Sequence, residues 1–325
     1  MSELAKQVLE GDRRALARAI TIVESTRADH REEAAALLTE VLPHTGGAIR
    51  IGISGAPGAG KSTFIESFGL RLVEQGHRVA VLAVDPSSTR TGGSILGDKT
   101  RMGDLARADA AFVRPSPTAG TLGGVARRTR EAMLLCEAAG FDVVMVETVG
   151  VGQSEVAVAG MVDLFVLLIA PGAGDELQGI KRGIIELADI VVVNKYDGDL
   201  APAARTTAAD YGSALRLVRS KTSAWTPRVV LVSATEGTGI DELWSTVEEF
   251  RATLAASGDL ERRRAEQARE WMWSEVTESL VESLRDDDVV AALVARLEAE
   301  VTAGDVPPAA AARQILDAYR PGPDG

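Results

Sequence analysis

Gly55-Ala56-Pro57-Gly58-Ala59-Gly60-Lys61-Ser62-Thr63 fits the pattern G-x-x-x-x-G-K-[ST], and its setting decides the fold. Ile49, Ile51 and Ile53 alternate ahead of it as in a strand, and Phe64, Ile65, Phe68 and Leu72 follow at helical spacing until Gly76. A strand that turns through glycines into a helix aims backbone N–H groups and the positive helix N-terminus at one point, where Lys61 adds a mobile cation. Together they make a cradle for a polyphosphate. The Ser62 hydroxyl is placed to coordinate Mg²⁺, and Thr63 to hydrogen-bond phosphate from the next position.

A chain of 325 residues can bury one large α/β core and still carry flanking helical segments. Its net charge of −12 argues against nucleic acid as a partner, since neutralising phosphates needs a basic surface. The single cysteine, Cys136, permits no intramolecular disulfide, which fits a reducing cytoplasm. No signal pattern opens the sequence, and the longest strongly apolar run, residues 164–170, is too short to span a bilayer, so no membrane role is expected. His30, His44 and His77 are scattered without cysteine neighbours, which disfavours a dedicated zinc or nickel site.

Three regions follow from composition and periodicity. Residues 1–47 read as a helical lead-in, with Leu4, Val8, Leu16, Ile20 and Val23 on one apolar stripe and Leu37, Leu38, Val41 and Leu42 on another. Residues 48–255 alternate strands with helices, the pattern of a mostly parallel sheet flanked by helices. From residue 256 the chain turns to charged helix formers, with stripes at Trp273, Val276, Leu280 and Leu284 and at Leu293, Leu297 and Val301. This tail has too little apolar mass to stand alone and is expected to pack on a second subunit or on its own core. The run Arg262-Arg263-Arg264 reads as a solvated helix face.

Within the central region, residues 79–84 form a buried strand that ends at Asp85, and the polar loop beyond it carries Asp98. Residue chemistry alone leaves both acids open between turn or cap residues and carboxylates of a nucleotide crevice. Residues 141–146 are the next strand, ending in Glu147-Thr148-Val149-Gly150-Val151-Gly152-Gln153-Ser154-Glu155. An acid at a strand end, with glycine three positions on, has the form of a Walker B site joined to a switch. Glu147 reaches Mg²⁺ directly or through water, and the Gly150 N–H senses a γ-phosphate. Gln153 is a candidate for orienting the attacking water, against an ordinary solvated loop glutamine. The strand at 163–170 leads into a Gly-rich acidic loop, readable either as mobile or as a capped turn.

The strand 190–193 delivers Asn194-Lys195-Tyr196-Asp197. Asp197 can accept from both N1–H and the 2-amino group of guanine, a donor pair adenine lacks, while Asn194 binds the purine edge and Lys195 packs along the ring. After a phosphate loop, this tetrapeptide selects GTP over ATP. The last core strand ends in Ser233-Ala234-Thr235, whose backbone N–H groups are expected to reach guanine O6.

With these motifs in hand, the sequence resembles the MeaB/ArgK family of P-loop GTPases, which includes the human methylmalonic aciduria type A protein. The resemblance covers nearly the whole chain. It rests on Val84-Asp85-Pro86-Ser87-Ser88, Gly97-Asp98-Lys99-Thr100-Arg101-Met102, the 147–155 string and Gly174-Asp175-Glu176-Leu177-Gln178-Gly179-Ile180-Lys181. It implies a P-loop NTPase fold of the SIMIBI class and a homodimer joined through the C-terminal helical arm. It also implies a GTPase chaperone of adenosylcobalamin-dependent methylmalonyl-CoA mutase, gating cofactor loading and protecting the mutase, with cobalamin met only through that partner. Mg²⁺ carboxylates would fall on Asp85, Asp98 and Glu147. Switch residues would be Gly150 and Gly152, with Asp175, Gln178 and Lys181 relaying the partner's presence to the nucleotide. Two rival readings are an ATP-dependent kinase of a periplasmic amino-acid binding protein, for which the guanine signature has no use, and a nickel-insertion GTPase, which the histidine pattern disfavours.

Overall fold

In a computed structural model of the chain, the described residues are 1–25, 27–84, 102–115, 122–148, 154–172, 182–217 and 222–319. Seven strands form one sheet: β1 (Ile49–Gly55), β2 (Val79–Val84), β3 (Ala111–Arg114), β4 (Val143–Thr148), β5 (Leu164–Ile169), β6 (Ile190–Val193) and β7 (Arg228–Leu231). Their order is β3-β2-β4-β1-β5-β6-β7, and every neighbouring pair is parallel. A parallel sheet needs a crossover after each strand, so both of its faces are covered and its strands are apolar throughout. The strand that opens into the phosphate loop therefore lies at the centre, between β4 and β5. In such sheets ligands bind beyond the carboxyl ends of the strands.

Alternation along each strand divides the core. Val79, Val81, Val143 and Met145 join β1's Ile49, Ile51 and Ile53 on one face, under Phe64, Phe68 and Leu72 of α4 (Lys61–Glu74). Ala80, Leu82, Val84, Val144 and Val146 point to the other face. There they meet the helical lead-in, α1 (Glu3–Leu9), α2 (Arg13–Val23) and α3 (Ala28–Val41). Ser2 and Asp12 start the first two helices by accepting from Ala5 N at 3.3 Å and Ala15 N at 2.7 Å. Leu16, Ile20, Leu37 and Val41 are buried as their spacing predicts, but Leu42 is 56% exposed. The α-helix ends at Val41 and a 3₁₀ turn carrying Pro43 takes Leu42 off the apolar face.

Three short helices follow, α5 (Gly103–Arg107), α7 (Ser154–Ala159) and α8 (Arg182–Ile185), together with the longer α6 (Leu122–Ala138), α9 (Ala201–Leu215) and α10 (Ile240–Ser257). Cys136 is buried in α6, and burial pushes its thiol well above the ordinary range. No helix among the described residues is long and apolar enough to cross a membrane.

The arginine run departs from its expected role. Arg262 is exposed and pairs with Asp259 at 2.5 Å, but Arg263 and Arg264 are largely buried at the start of α11 (Asp259–Asp286). Arg264 grips both oxygens of Asp163 at 2.7 and 2.6 Å and donates to Ala48 O at 2.7 Å. Arg263 donates to Asp163 O and lies 3.5 Å from Asp189. Each of these acids precedes a strand and accepts a backbone N–H, Arg50 N for Asp163 and Phe165 N for Asp189. A helical charge pattern reads as solvated until buried carboxylates at the amino edge of a sheet demand cations.

The chain divides into two compact units, residues 1–267 and 268–325. The second holds the end of α11, α12 (Asp288–Ala303) and α13 (Pro308–Tyr319). Val290, Leu297 and Ala311 are buried there, while Trp273, Val276 and Leu280 are exposed.

Replacing Asp163 with Ala would take the carboxylate from the Arg264 guanidinium and the side-chain acceptor from the Arg50 N–H. The expected loss is about 3–5 kcal/mol of unfolding free energy, against less than about 0.5 kcal/mol for Arg262→Ala, read from urea midpoints of the two variants.

Candidate functional site

Three loops and the end of β4 meet at the carboxyl edge. The first is the phosphate loop, which leaves β1 at the buried Gly55 and enters α4 at Lys61. Gly60 takes the left-handed conformation, φ 88° and ψ 30°, and Phe64 N donates to its carbonyl at 2.9 Å to open the helix. A Cβ at residue 60 would also lie 2.7 Å from Asn194 Nδ2, so glycine is required there twice over. Pro57 and Gly58 are exposed, Ala59 is buried, Ser62 is half-buried and Thr63 exposed. Lys61 folds back along the loop, donating from Nζ to Gly55 O at 2.7 Å and more weakly to Ala56 O at 3.5 Å. Burial pulls the Lys61 ammonium below its ordinary pKa, against the opposing fields of the Glu147 and Glu155 carboxylates.

Glu147 stands at the end of β4, almost fully buried and in register with Ile53 of β1 and Ala83 of β2. Its neighbour Thr148 donates to Ser54 Oγ at 2.9 Å, a buried hydroxyl pair tying the ends of β4 and β1 together. A hydroxyl on the first turn of α4 and a carboxylate one strand away are hard oxygen donors of the kind Mg²⁺ takes. Asp85, Asp98, Gly150, Gly152, Gln153, Asp175, Gln178 and Lys181 lie outside the described residues.

Glu155 was not among the residues singled out from the sequence. It is fully buried at the start of α7, and its charge acts on Lys61. An acid in the first turn of a helix reads as a solvated, dipole-favoured charge, and only its burial distinguishes it.

The base-side loops are joined by Asn194, itself buried. Its backbone N–H continues the β5–β6 ladder by donating to Ile169 O at 2.9 Å, and its side chain spans two other loops. Nδ2 donates to Ala59 O at 2.9 Å in the phosphate loop, and Oδ1 accepts from Ala234 N at 3.1 Å. Ser233 N donates to Thr238 O at 2.9 Å. Two of the N–H groups expected to face a base are thus engaged within the protein. Lys195 has φ 56°, the one positive value among the described non-glycine residues. Such strain persists where the surroundings impose it, here through Asn194 and the bond from Tyr196 N to Val232 O at 3.0 Å. Arg205 Nε and Nη2 donate to the Tyr196 hydroxyl at 3.1 and 3.0 Å. The Asp197 carboxylate receives the hydroxyls of Ser233 and Thr235.

The structure brings together Lys61, Ser62 and Glu147 at one end and Asn194, Asp197 and Ser233 through Thr235 at the other, with Asn194 bridging the two. The sequence profile of the family described as "Methylmalonyl Co-A mutase-associated GTPase MeaB" matches residues 16–288. A probable GTPase of Mycobacterium tuberculosis is 57% identical over 97% of this chain and 94% of its own length. The mouse "Methylmalonic aciduria type A homolog, mitochondrial" is 51% identical over 96% and 78%, and "GTPase ArgK" of Escherichia coli is 51% identical over 87% and 86%. A crystal structure described as "LAO/AO transport system kinase" superposes with a TM-score of 0.76 at 40% identity, covering 98% of both chains. The α/β fold with a phosphate loop, the sequence relatives and the family profile agree, and the chain belongs to the MeaB family of GTPases.

Proposed function

We propose that this GTPase is Mg²⁺-dependent and serves an adenosylcobalamin-dependent methylmalonyl-CoA mutase, with GTP binding and hydrolysis gating cofactor loading and protecting the mutase. The description of the family and the name of the mouse relative support the partner. The observation that supports the nucleotide half of the reading is the Asn194 bridge, which ties the phosphate loop at Ala59 to Ala234, whose neighbours Ser233 and Thr235 hold the Asp197 carboxylate.

Hydrolysis breaks the bond between the γ-phosphorus and the β–γ bridging oxygen as water attacks in line, and positioning and charge do most of the work. Lys61 would leave Gly55 O for the phosphate oxygens, and loop N–H groups would meet the developing negative charge. Mg²⁺, when bound, would be held by Ser62, Asp85, Asp98 and Glu147 and supplies positive charge against the phosphates. Gln153 is assigned to orient the water. Gly150, Gly152, Asp175, Gln178 and Lys181 are assigned as switches that report the partner. These assignments rest on sequence alone. With no arginine finger evident among the motifs, the basal rate is slow and the partner accelerates it. Trp273, Val276 and Leu280 support a second copy of the chain as the other partner of the tail. The rival kinase reading, echoed in the description of the 40% identical crystal structure, leaves the Asp197 arrangement without a use.

Replacing Lys61 with Ala is expected to lower GTP turnover about a hundredfold or more, measured as phosphate release in single-turnover experiments. Replacing Asp197 with Asn is expected to weaken GDP about a hundredfold while improving xanthosine diphosphate; unchanged preference in calorimetry would refute the guanine assignment. Co-purification of a cobalamin-dependent mutase with the chain loaded with a non-hydrolysable GTP analogue tests the partner, and its absence under both GTP-analogue and GDP conditions counts against it.

A further inference from the structure

Glu155 is a fully buried carboxylate to which the hydrolysis described above gives no role. Its charge acts on Lys61 together with that of Glu147, so two acids face one ammonium. They come from different sides of the sheet. Glu147 is in register with Ile53 on the face that α4 covers, and Ser62 lies in the first turn of that helix. The described residues assigned to Mg²⁺ therefore share the α4 side. Glu155 arrives instead on α7, whose Val158 packs with Met161 and Val162 in the core of the opposite face. When Lys61 leaves Gly55 O for a phosphate, the Glu155 charge stays buried near the phosphate charge, where like charges repel more strongly than in water.

Glu155 has little room to yield, because α7 is held along its length. It is pressed onto β1 at Gly52, where a Cβ would stand 2.8 Å from Val158 Cγ1, 3.0 Å from Val162 Cγ2 and 3.1 Å from Phe165 Cδ2. Beyond Ala159 the turn stays closed, with Gly160 N donating to Val156 O and Met161 N to Val158 O, each at 3.0 Å. The far end is clamped by α11. Gln267 Nε2 donates to Val162 O at 2.8 Å, Arg263 donates to Asp163 O, and Arg264 holds the Asp163 carboxylate. The six residues of α7 span only about 9 Å. Anchoring one end of so short a helix fixes the end that carries Glu155.

We propose that Glu155 is a positioning residue for nucleotide binding and release: its carboxylate, held beside Lys61 by the clamped α7, draws the ammonium back from the phosphates and limits how tightly nucleotide is kept. Gln267 sets the place of Glu155 from the other end of α7. This deepens the reading of the phosphate loop as the GTP site and rests on it. A carboxylate of only structural importance would weaken nucleotide binding when its charge is lost, whereas one that competes with phosphate for Lys61 strengthens it.

The test is titration calorimetry of the full chain with GDP and Mg²⁺, comparing wild type with Glu155→Gln, Gln267→Ala and the double variant. Glutamine keeps the shape of glutamate and removes the charge. The expected result is that Glu155→Gln tightens GDP about tenfold, the size of one nearby charge in a partly shielded site. Gln267→Ala, which loosens the clamp and lets Glu155 yield to the phosphates, should tighten GDP about threefold and add nothing once Glu155 is neutral. Gln267 is half-buried, so its variant reads the sign of the effect even where Glu155→Gln fails to fold. Unchanged or weaker GDP binding in either single variant, or full additivity in the double variant, overturns the inference, while wild-type preference for GDP over ADP leaves the guanine reading standing. Wild-type protein that binds ADP as tightly as GDP, or neither of them, overturns the guanine reading as well.

Discussion

One buried amide holds the site together. Asn194 donates to the carbonyl of Ala59 and accepts from the N–H of Ala234, so loops from three strands share a single side chain. Both partners are backbone groups that burial would otherwise leave unsatisfied, which makes the bridge costly to break. It also explains local oddities that look unrelated: Gly60 has no room for a Cβ because the amide lies against it, and Lys195 holds a left-handed backbone because residues 194 and 196 are both pinned. The phosphate loop and the loop proposed to meet the base are thereby mechanically one feature.

The same residue types act differently at the two edges of the sheet. At the carboxyl edge, Glu147 and Glu155 stand in the field of Lys61, whose ammonium donates to the carbonyls of Gly55 and Ala56, neutral partners it can exchange. At the amino edge, Asp163 is saturated by Arg264 and a backbone N–H, leaving it nothing to exchange. A parallel sheet separates these roles by construction, because every strand starts at one edge and finishes at the other. Binding and hydrolysis can then rearrange charge at one edge while the other stays fixed.

Much of this was legible from residues alone. The phosphate loop, the all-apolar strands and the Asn194-to-Asp197 tetrapeptide announce themselves because each follows from local geometry: a turn, a strand buried on both faces, a strand end. What was not legible depends on distant partners. Nothing near Arg263 and Arg264 predicts two carboxylates from the starts of other strands, and nothing near Glu155 predicts its complete burial. The run therefore reads as surface, and the glutamate as a helix-start charge. The hydroxyls on Asp197 fall between these cases. Ser233 and Thr235 were marked for their backbone, but the pairing of their side chains needs β6 and β7 side by side. Leu42 departs for a local reason: the turn carrying Pro43 ends the α-helix at Val41, one residue before the last member of the stripe.

The buried thiol of Cys136 has a practical corollary. Thiolate is the reactive form, and this sulfur is both shielded from solvent and disfavoured from ionising, so it should stay silent toward maleimides and iodoacetamides in the folded protein. The chain thus offers a blank background for site-directed spin or fluorophore attachment. Pairs of introduced cysteines across the nucleotide crevice could report distances during turnover without first deleting a native one.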